Sequence, residues 1–248
     1  MWRGFGAVAA DPQAVTKADP YAVAAGTHEE KEPAVGRPRQ SLLSRDRIVG
    51  TALALVDADG LDAVSTRRLA AELGVSGPAL YNHFATKDAI VDAVVDTVLG
   101  EVDIAVFAAG AARGDWADAL RAWARSYRAV LATHPNLVPA LAAGPGRRPN
   151  ALRMADAVFG SLVAAGWPRA QATRVGVLMR YFVTGSALGS FAGGFPDDAS
   201  VYAGDYPHLD QAHLLADVQR DIDATAFETG LDALLDGLRI RFARLDRS

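Results

Sequence analysis

STRRLAAELGVSGPALYNHF, residues 65–84, decides how the chain folds. Behind Ser65, whose hydroxyl can accept the first free backbone N–H groups, Leu69, Ala70 and Leu73 recur at helical spacing. Gly74 supplies a turn and Val75 plugs a small core. Ser76 caps a second run with Pro78 in its first turn and Leu80 and Phe84 facing inward. Two short helices joined by a glycine turn form a helix-turn-helix, in which the second helix is the reader.

Working outward, Ser44 caps an earlier helix, with Leu43 and Ile48 spaced as a hydrophobic staple; Ile48, Ala52, Leu55 and Val56 form its apolar face and Gly60 ends it. Residues 1–40 show little periodicity and many Gly, Ala, Pro and charged residues, so a disordered extension is expected. Within it, Arg37 and Arg39 serve either as a flexible arm reaching a minor groove or phosphates, or as a solvated linker. After a Thr86 cap, Lys87 to about Phe107 reads as one connecting helix buried through Ile90, Val91, Val94, Val95 and Val98. Further helices are expected at 115–133, 150–165, 168–192, 208–219 and 223–245, with a short segment at 137–142 and a Gly/Pro/Arg loop at 144–149. The pattern predicts an all-α chain: a three-helix helix-turn-helix domain at 41–88, then a larger helical body at 89–248.

Composition narrows the alternatives. The 248 residues are half apolar and contain no cysteine, which excludes disulfides, thiolate metal sites and cysteine nucleophiles. No apolar run reaches membrane-spanning length and the first residues lack a secretion signal, so a cytoplasmic protein without a membrane partner is expected. A net charge of −4 argues against indiscriminate coating of nucleic acid, although local charge governs specific binding. Neither phosphate-loop glycine motifs nor HExxH occurs, and His208 and His213 lie five apart, off a shared helix face. No catalytic residue, metal site or cofactor is expected. An all-helical enzyme stands as the different-class alternative.

The residues suited to DNA cluster on the quoted stretch. Thr66, Arg67 and Arg68 open the second helix, where hydroxyl, guanidinium and free N–H groups can hold a phosphate. Gly77, Pro78, Ala79, Tyr81, Asn82 and His83 lie on or near the exposed side of the third, and Lys87 can clamp the backbone beyond it. Tyr81 and His83 suit phosphates; Asn82 has the donor and acceptor needed to read adenine. Packing and helix-capping roles are the competing reading of Tyr81 and His83.

From about Asp46 to Val98 the chain resembles the DNA-binding domain of the TetR family, and TRRLAAELGVSGPALYNHFATKDAIVDAV is similar to its tetracycline repressor branch. The resemblance implies a homodimer on a palindromic double-stranded operator, released when a small organic effector binds the C-terminal domain. Gly77, Ala79 and Asn82 depart from that branch's amide, threonine and tryptophan, which implies retained phosphate anchoring with altered base preference.

The resemblance extends through DWADALRAWARSYRAVLATHP, WPRAQATRVGVLMRYFVTGSALG and FETGLDALLDGL. It implies that two late helices, about 170–191 and 223–242, pair with their mates in a four-helix bundle. Val177, Tyr181, Thr184, Leu188, Phe227, Leu231, Leu234 and Leu238 are its candidate seam, and periodicity alone suits a monomer core equally. Trp116, Trp123, Tyr127, His134, Leu141, Met154, Phe159, Trp167, Met179 and Phe182 are candidates to line an apolar effector pocket, with Tyr127 and His134 as polar anchors; each also serves as ordinary core. Trp123 and Leu141 fall at or near positions where the branch has a drug-binding asparagine and a metal-binding histidine. An effector without an obligatory metal is therefore expected. A dimeric regulator with no effector, and activation in place of repression, remain as alternatives.

Overall fold

Ser44, Ser65 and Thr86 each turn a hydroxyl back to accept a backbone N–H three residues on, at 3.0 to 3.2 Å, and each begins a helix. In the computed structural model, which describes residues 43–113, 115–141, 146–190 and 192–245, these helices are α1 (Arg45–Asp59), α2 (Thr66–Leu73) and α4 (Lys87–Leu99). Expectations for residues 1–40, Arg37 and Arg39 included, lie outside the described residues. Gly60 and Gly74 stop α1 and α2 at positive φ, 83° and 68°, where a side chain would be strained. Between α2 and α4 sits α3 (Gly77–Tyr81), with Pro78 in its first turn. Ser76 precedes it but makes no side-chain cap, contrary to expectation.

Five further helices follow: α5 (Ala105–Arg113), α6 (Trp116–Thr133), α7 (Pro149–Ala164), α8 (Arg169–Gly185) and α9 (Leu215–Leu245). The described residues include helices and short 3-10 segments but no strand, as an all-α fold requires. None of the helices is long and apolar enough to cross a membrane among the described residues. From Leu42 onward the chain is one compact unit, with a connected core running from Ile48 in α1 to Leu238 in α9.

Three helix limits differ from the sequence reading, one of them at the helix expected over 168–192, which ends at Gly185 where the Ala187 N–H tightens onto the Thr184 carbonyl and leaves Leu188 beyond it. The expected helix from Lys87 to about Phe107 stops at Leu99. A Cβ at Gly100 would lie 2.8 Å from the Asn150 amide, which reaches in to donate to the Asp96 carbonyl. The chain then turns as the Asp103 N–H donates to Ser126 and its carboxylate accepts from Ala105, which starts α5. Conversely, the helices expected at 208–219 and 223–245 are one helix of 31 residues from Leu215. DIDATA contains weak helix formers but no breaker, and α6 holds that turn: Arg128 donates to the Asp223 carbonyl and lies over the Phe227 ring. Beyond it, Arg125 forks onto Glu228 and Arg121 pairs with Asp232, so α6 and α9 are joined along antiparallel faces.

Candidate functional site

The reading end is built on the short helix α3. Leu80 and Phe84 anchor it below, while Arg45 of α1 lies 4.0 Å over the Phe84 ring and donates to the His83 carbonyl. Because α3 ends at Tyr81, Asn82 caps it and His83 lies in the following turn. Tyr81 is 54 % exposed; Pro78, Asn82, Arg67 and Lys87 are also exposed, and Thr66, Gly77, Ala79 and His83 are half-buried. These residues come from the α2 N-terminus, from α3 with the turn after it, and from the α4 N-terminus. Arg68 differs from the rest, since its guanidinium is paired with Asp59 at the end of α1.

The effector candidates fall into several side-chain clusters. Trp123 of α6 packs on Phe107 and Tyr127, with ring centres 6.3 and 5.6 Å apart. Trp116, Trp167 and Phe242 form a separate cluster tying the start of α6 to the end of α9. Phe182 stacks on Phe227 at 5.3 Å, beside Gly230. Phe159 fills the space left by Gly176, and Leu141, Met154 and Met179 are buried core. His134 lies away from this group, its Nδ1 2.9 Å from Asp57 of α1. The Tyr127 hydroxyl instead meets Thr184, 3.4 Å away on α8. Two indole N–H groups, of Trp123 and Trp167, are buried without an acceptor. A crevice of about 350 Å³ opens between α5, α6 and α7 beside Phe107, Trp116 and Ser161.

The seam candidates separate by burial. Phe227, Leu231 and Leu238 belong to the core of the single chain, and Val177, Thr184 and Leu234 are half-buried. Tyr181 and Leu188 are 72 % and 64 % exposed, and Leu178 and Ile240, which the sequence reading left out, are exposed beside them in kind. A groove of about 520 Å³ runs between α8 and α9, lined by Val175, Leu178, Leu234 and Leu238 with Arg174 and Arg241. Apolar residues three apart on α8, Leu178 and Tyr181, with Leu188 just past its end, were the signal available in the sequence, but only burial separates them from core positions.

Similarity to known proteins agrees with this arrangement. Residues 48–94 match the family model for bacterial regulatory proteins of the tetR family, and residues 110–242 match the tetracyclin repressor-like C-terminal domain. The class A tetracycline repressor from transposon 1721 of Escherichia coli is 34 % identical over 80 % of this chain and 92 % of its own. A possible TetR family regulator from Streptomyces coelicolor is 36 % identical, with a TM-score of 0.66 over 79 % of this chain and 99 % of that one. ActR of the same organism, solved in complex with actinorhodin, is 30 % identical with a TM-score of 0.63, covering 81 % and 98 %. With a helix-turn-helix followed by a helical body, and family models that match residues 48–94 and 110–242, the chain belongs to the TetR family of DNA-binding transcriptional regulators.

Proposed function

We propose that the protein is a homodimeric repressor, acting in the cytoplasm, that binds a palindromic double-stranded operator and is released by a small apolar, aromatic effector without a metal. The observation that carries the DNA half is the exposed set Arg67, Pro78, Tyr81, Asn82 and Lys87 on and around a helix-turn-helix whose Leu80 and Phe84 are buried. Lys87 and Arg67 supply phosphate contacts and Asn82 a base contact, as such interfaces require. Support for the dimer is the apolar face of Leu178, Tyr181 and Leu188 beside the α8–α9 groove, which suits the same face of a second copy.

Support for the effector is the buried aromatic group on α6 together with the Trp123 indole N–H, a buried donor that lacks an acceptor. A planar ligand bearing carbonyl or ether oxygens would satisfy it. The relatives point the same way, since one is a tetracycline repressor and another was solved with actinorhodin. No group of three or more His, Asp or Glu able to hold a metal occurs among the described residues, and Leu141 offers no metal ligand.

One observation favours a regulator without an effector: the candidate pocket residues pack against one another. Selection of duplexes from a random pool by the purified protein tests the main reading. A palindromic winner that survives competitor DNA supports it, and release of that winner by planar aromatic compounds separates it from the effector-free alternative. Sequence-indifferent binding that disappears steeply with salt would refute operator recognition. Tight calorimetric binding of a magnesium–tetracycline complex would refute the metal-free effector.

A further inference from the structure

Trp116, Ala119 and Trp123 stand at i, i+3 and i+7 on α6, so their side chains fall on one stripe of its surface, about 10 Å long. α5 folds back onto that stripe. Its Phe107 ring packs 6.3 Å from the Trp123 ring, and a Cβ on Gly110 would lie 2.6 Å from the Ala119 Cβ. Phe107 is the only buried side chain among the described residues of α5. At the start of α5 the Asp103 N–H donates to Ser126 and the Asp103 carboxylate accepts from Ala105, both at 2.9 Å. A helix with so few buried anchors opens more readily than the core it covers.

The crevice of about 350 Å³ between α5, α6 and α7 runs up to this contact, with Trp116 and Phe107 on its wall and the small residues Ser161 and Ala164 of α7 opposite. The Ser161 hydroxyl donates to the Val158 carbonyl at 3.0 Å, so its oxygen is left as an acceptor on that wall. Phe107 stands between the crevice and Trp123. Behind it the Trp123 indole N–H is buried and has no acceptor, a cost that a bound oxygen would offset. Aromatic walls, an acceptor outside Phe107 and an unused donor inside it suit a flat fused-ring molecule with a ring carbonyl at one end and a hydroxyl at the other.

We propose that this crevice is the way in to a ligand site beneath α5, with Phe107 as its gate. A flat fused-ring aromatic compound enters past Trp116, turns the Phe107 ring off Trp123 and lies along the Trp116–Trp123 stripe. Its carbonyl then accepts from the Trp123 N–H, and its outer hydroxyl donates to Ser161. α5 rises to admit it, because the Gly110–Ala119 contact leaves no room for a ring while α5 is seated. The gate selects by ring width and the Trp123 N–H by the presence of oxygen. This route rests on the aromatic-effector reading proposed above.

The test uses the full chain and alizarin red S, a flat hydroxyquinone kept soluble by a sulfonate. Calorimetry reads its affinity, and stopped-flow quenching of tryptophan fluorescence reads its association rate. Wild type is expected to bind saturably. Ala164→Phe, at an exposed position on the mouth, should slow association roughly tenfold or more, and Phe107→Ala should speed it, because passage of the gate sets the rate. Trp123→Phe keeps a ring and removes the N–H, and should weaken binding about tenfold, as loss of one hydrogen bond does. Unchanged association in Ala164→Phe would overturn the route, whatever becomes of the core variants. Unchanged affinity in a folded Trp123→Phe would overturn it too, as would failure of both wild type and Phe107→Ala to bind. The selected operator separates this site from the effector reading. Dye that binds as described but leaves the operator in place refutes release by this class and leaves the site standing. Release that is equally fast in Ala164→Phe and wild type keeps the effector and overturns the route.

Discussion

Asn82 and Lys87 stand on opposite sides of the turn that follows α3, both exposed, and the amide of one and the ammonium of the other suit them to different jobs. Asn82→Ala is expected to cost about 1–3 kcal/mol on the preferred operator and to relax preference at one base position, measured against single-base operator variants. Lys87→Ala should weaken every sequence alike and reduce the slope of log affinity against log salt by about one. The reverse pattern, with Lys87 altering sequence preference, would contradict the assignment. At the same scale Asp115 caps α6: the Asp118 N–H, then the Ala117 N–H, hold its carboxyl below the ordinary aspartate range, although partial burial pushes it up. A depressed carboxyl stabilises the fold above its unfolded titration range and stops doing so as pH falls through its own lower value. Asp115→Ala should therefore cost about 1 kcal/mol at neutral pH, with the gap between the urea midpoints of variant and wild type closing in acid. The caps at Ser44, Ser65 and Thr86 were legible in the sequence because they are local. The fixing of Arg45 on Phe84 and His83 was not, because α1 and the turn after α3 are far apart in the chain, 38 positions from Arg45 to His83.

At the scale of helices, the limits that sequence misses are set by neighbours. Nothing in EVDIAVF ends a helix by propensity alone, yet Asn150 and Ser126 claim the backbone there and α4 stops. DIDATA reads as a weak point, yet α6 holds it and α9 passes straight through. Gly176 follows the same logic. Helix propensity says Gly176→Ala in the middle of α8 should stabilise by about 1 kcal/mol. The structure says otherwise, since the new Cβ would sit 2.4 Å from a Phe159 ring carbon and 3.1 Å from Val158. Overpacking of this kind costs about 1–3 kcal/mol, so a lower thermal midpoint is expected, and a raised one would mean α7 and α8 separate freely.

Across the whole molecule, periodicity found helices where α8 and most of α9 lie, and the family resemblance implied their pairing, but neither could tell which of their residues face inward. Phe227, Leu231 and Leu238 meet the chain's own core, whereas Leu178, Tyr181 and Leu188 face outward. Tyr181→Asp with Leu188→Asp is therefore expected to leave the fold intact and convert dimer to monomer in sedimentation, with at least a tenfold loss of operator affinity, on the order of 1.4 kcal/mol. A double variant that remains dimeric would move the interface elsewhere. The aromatic effector candidates were legible as a set, but three-dimensional packing divides them among separate clusters that share only composition.

The antiparallel run of pairs between α6 and α9 also bears on how the chain can change in length. Arg121, Arg125 and Arg128 meet Asp232, Glu228 and the Asp223 carbonyl in reverse order, like teeth engaged along two rails. Deleting a single residue from α9 would rotate everything beyond the deletion by about 100° and disengage those teeth together. Between Ser186 and Leu214 the described residues form short turns and 3-10 segments, which have no such phase to keep. Insertions and deletions accumulated by descent should therefore collect in that connection, while α9 keeps its residue count.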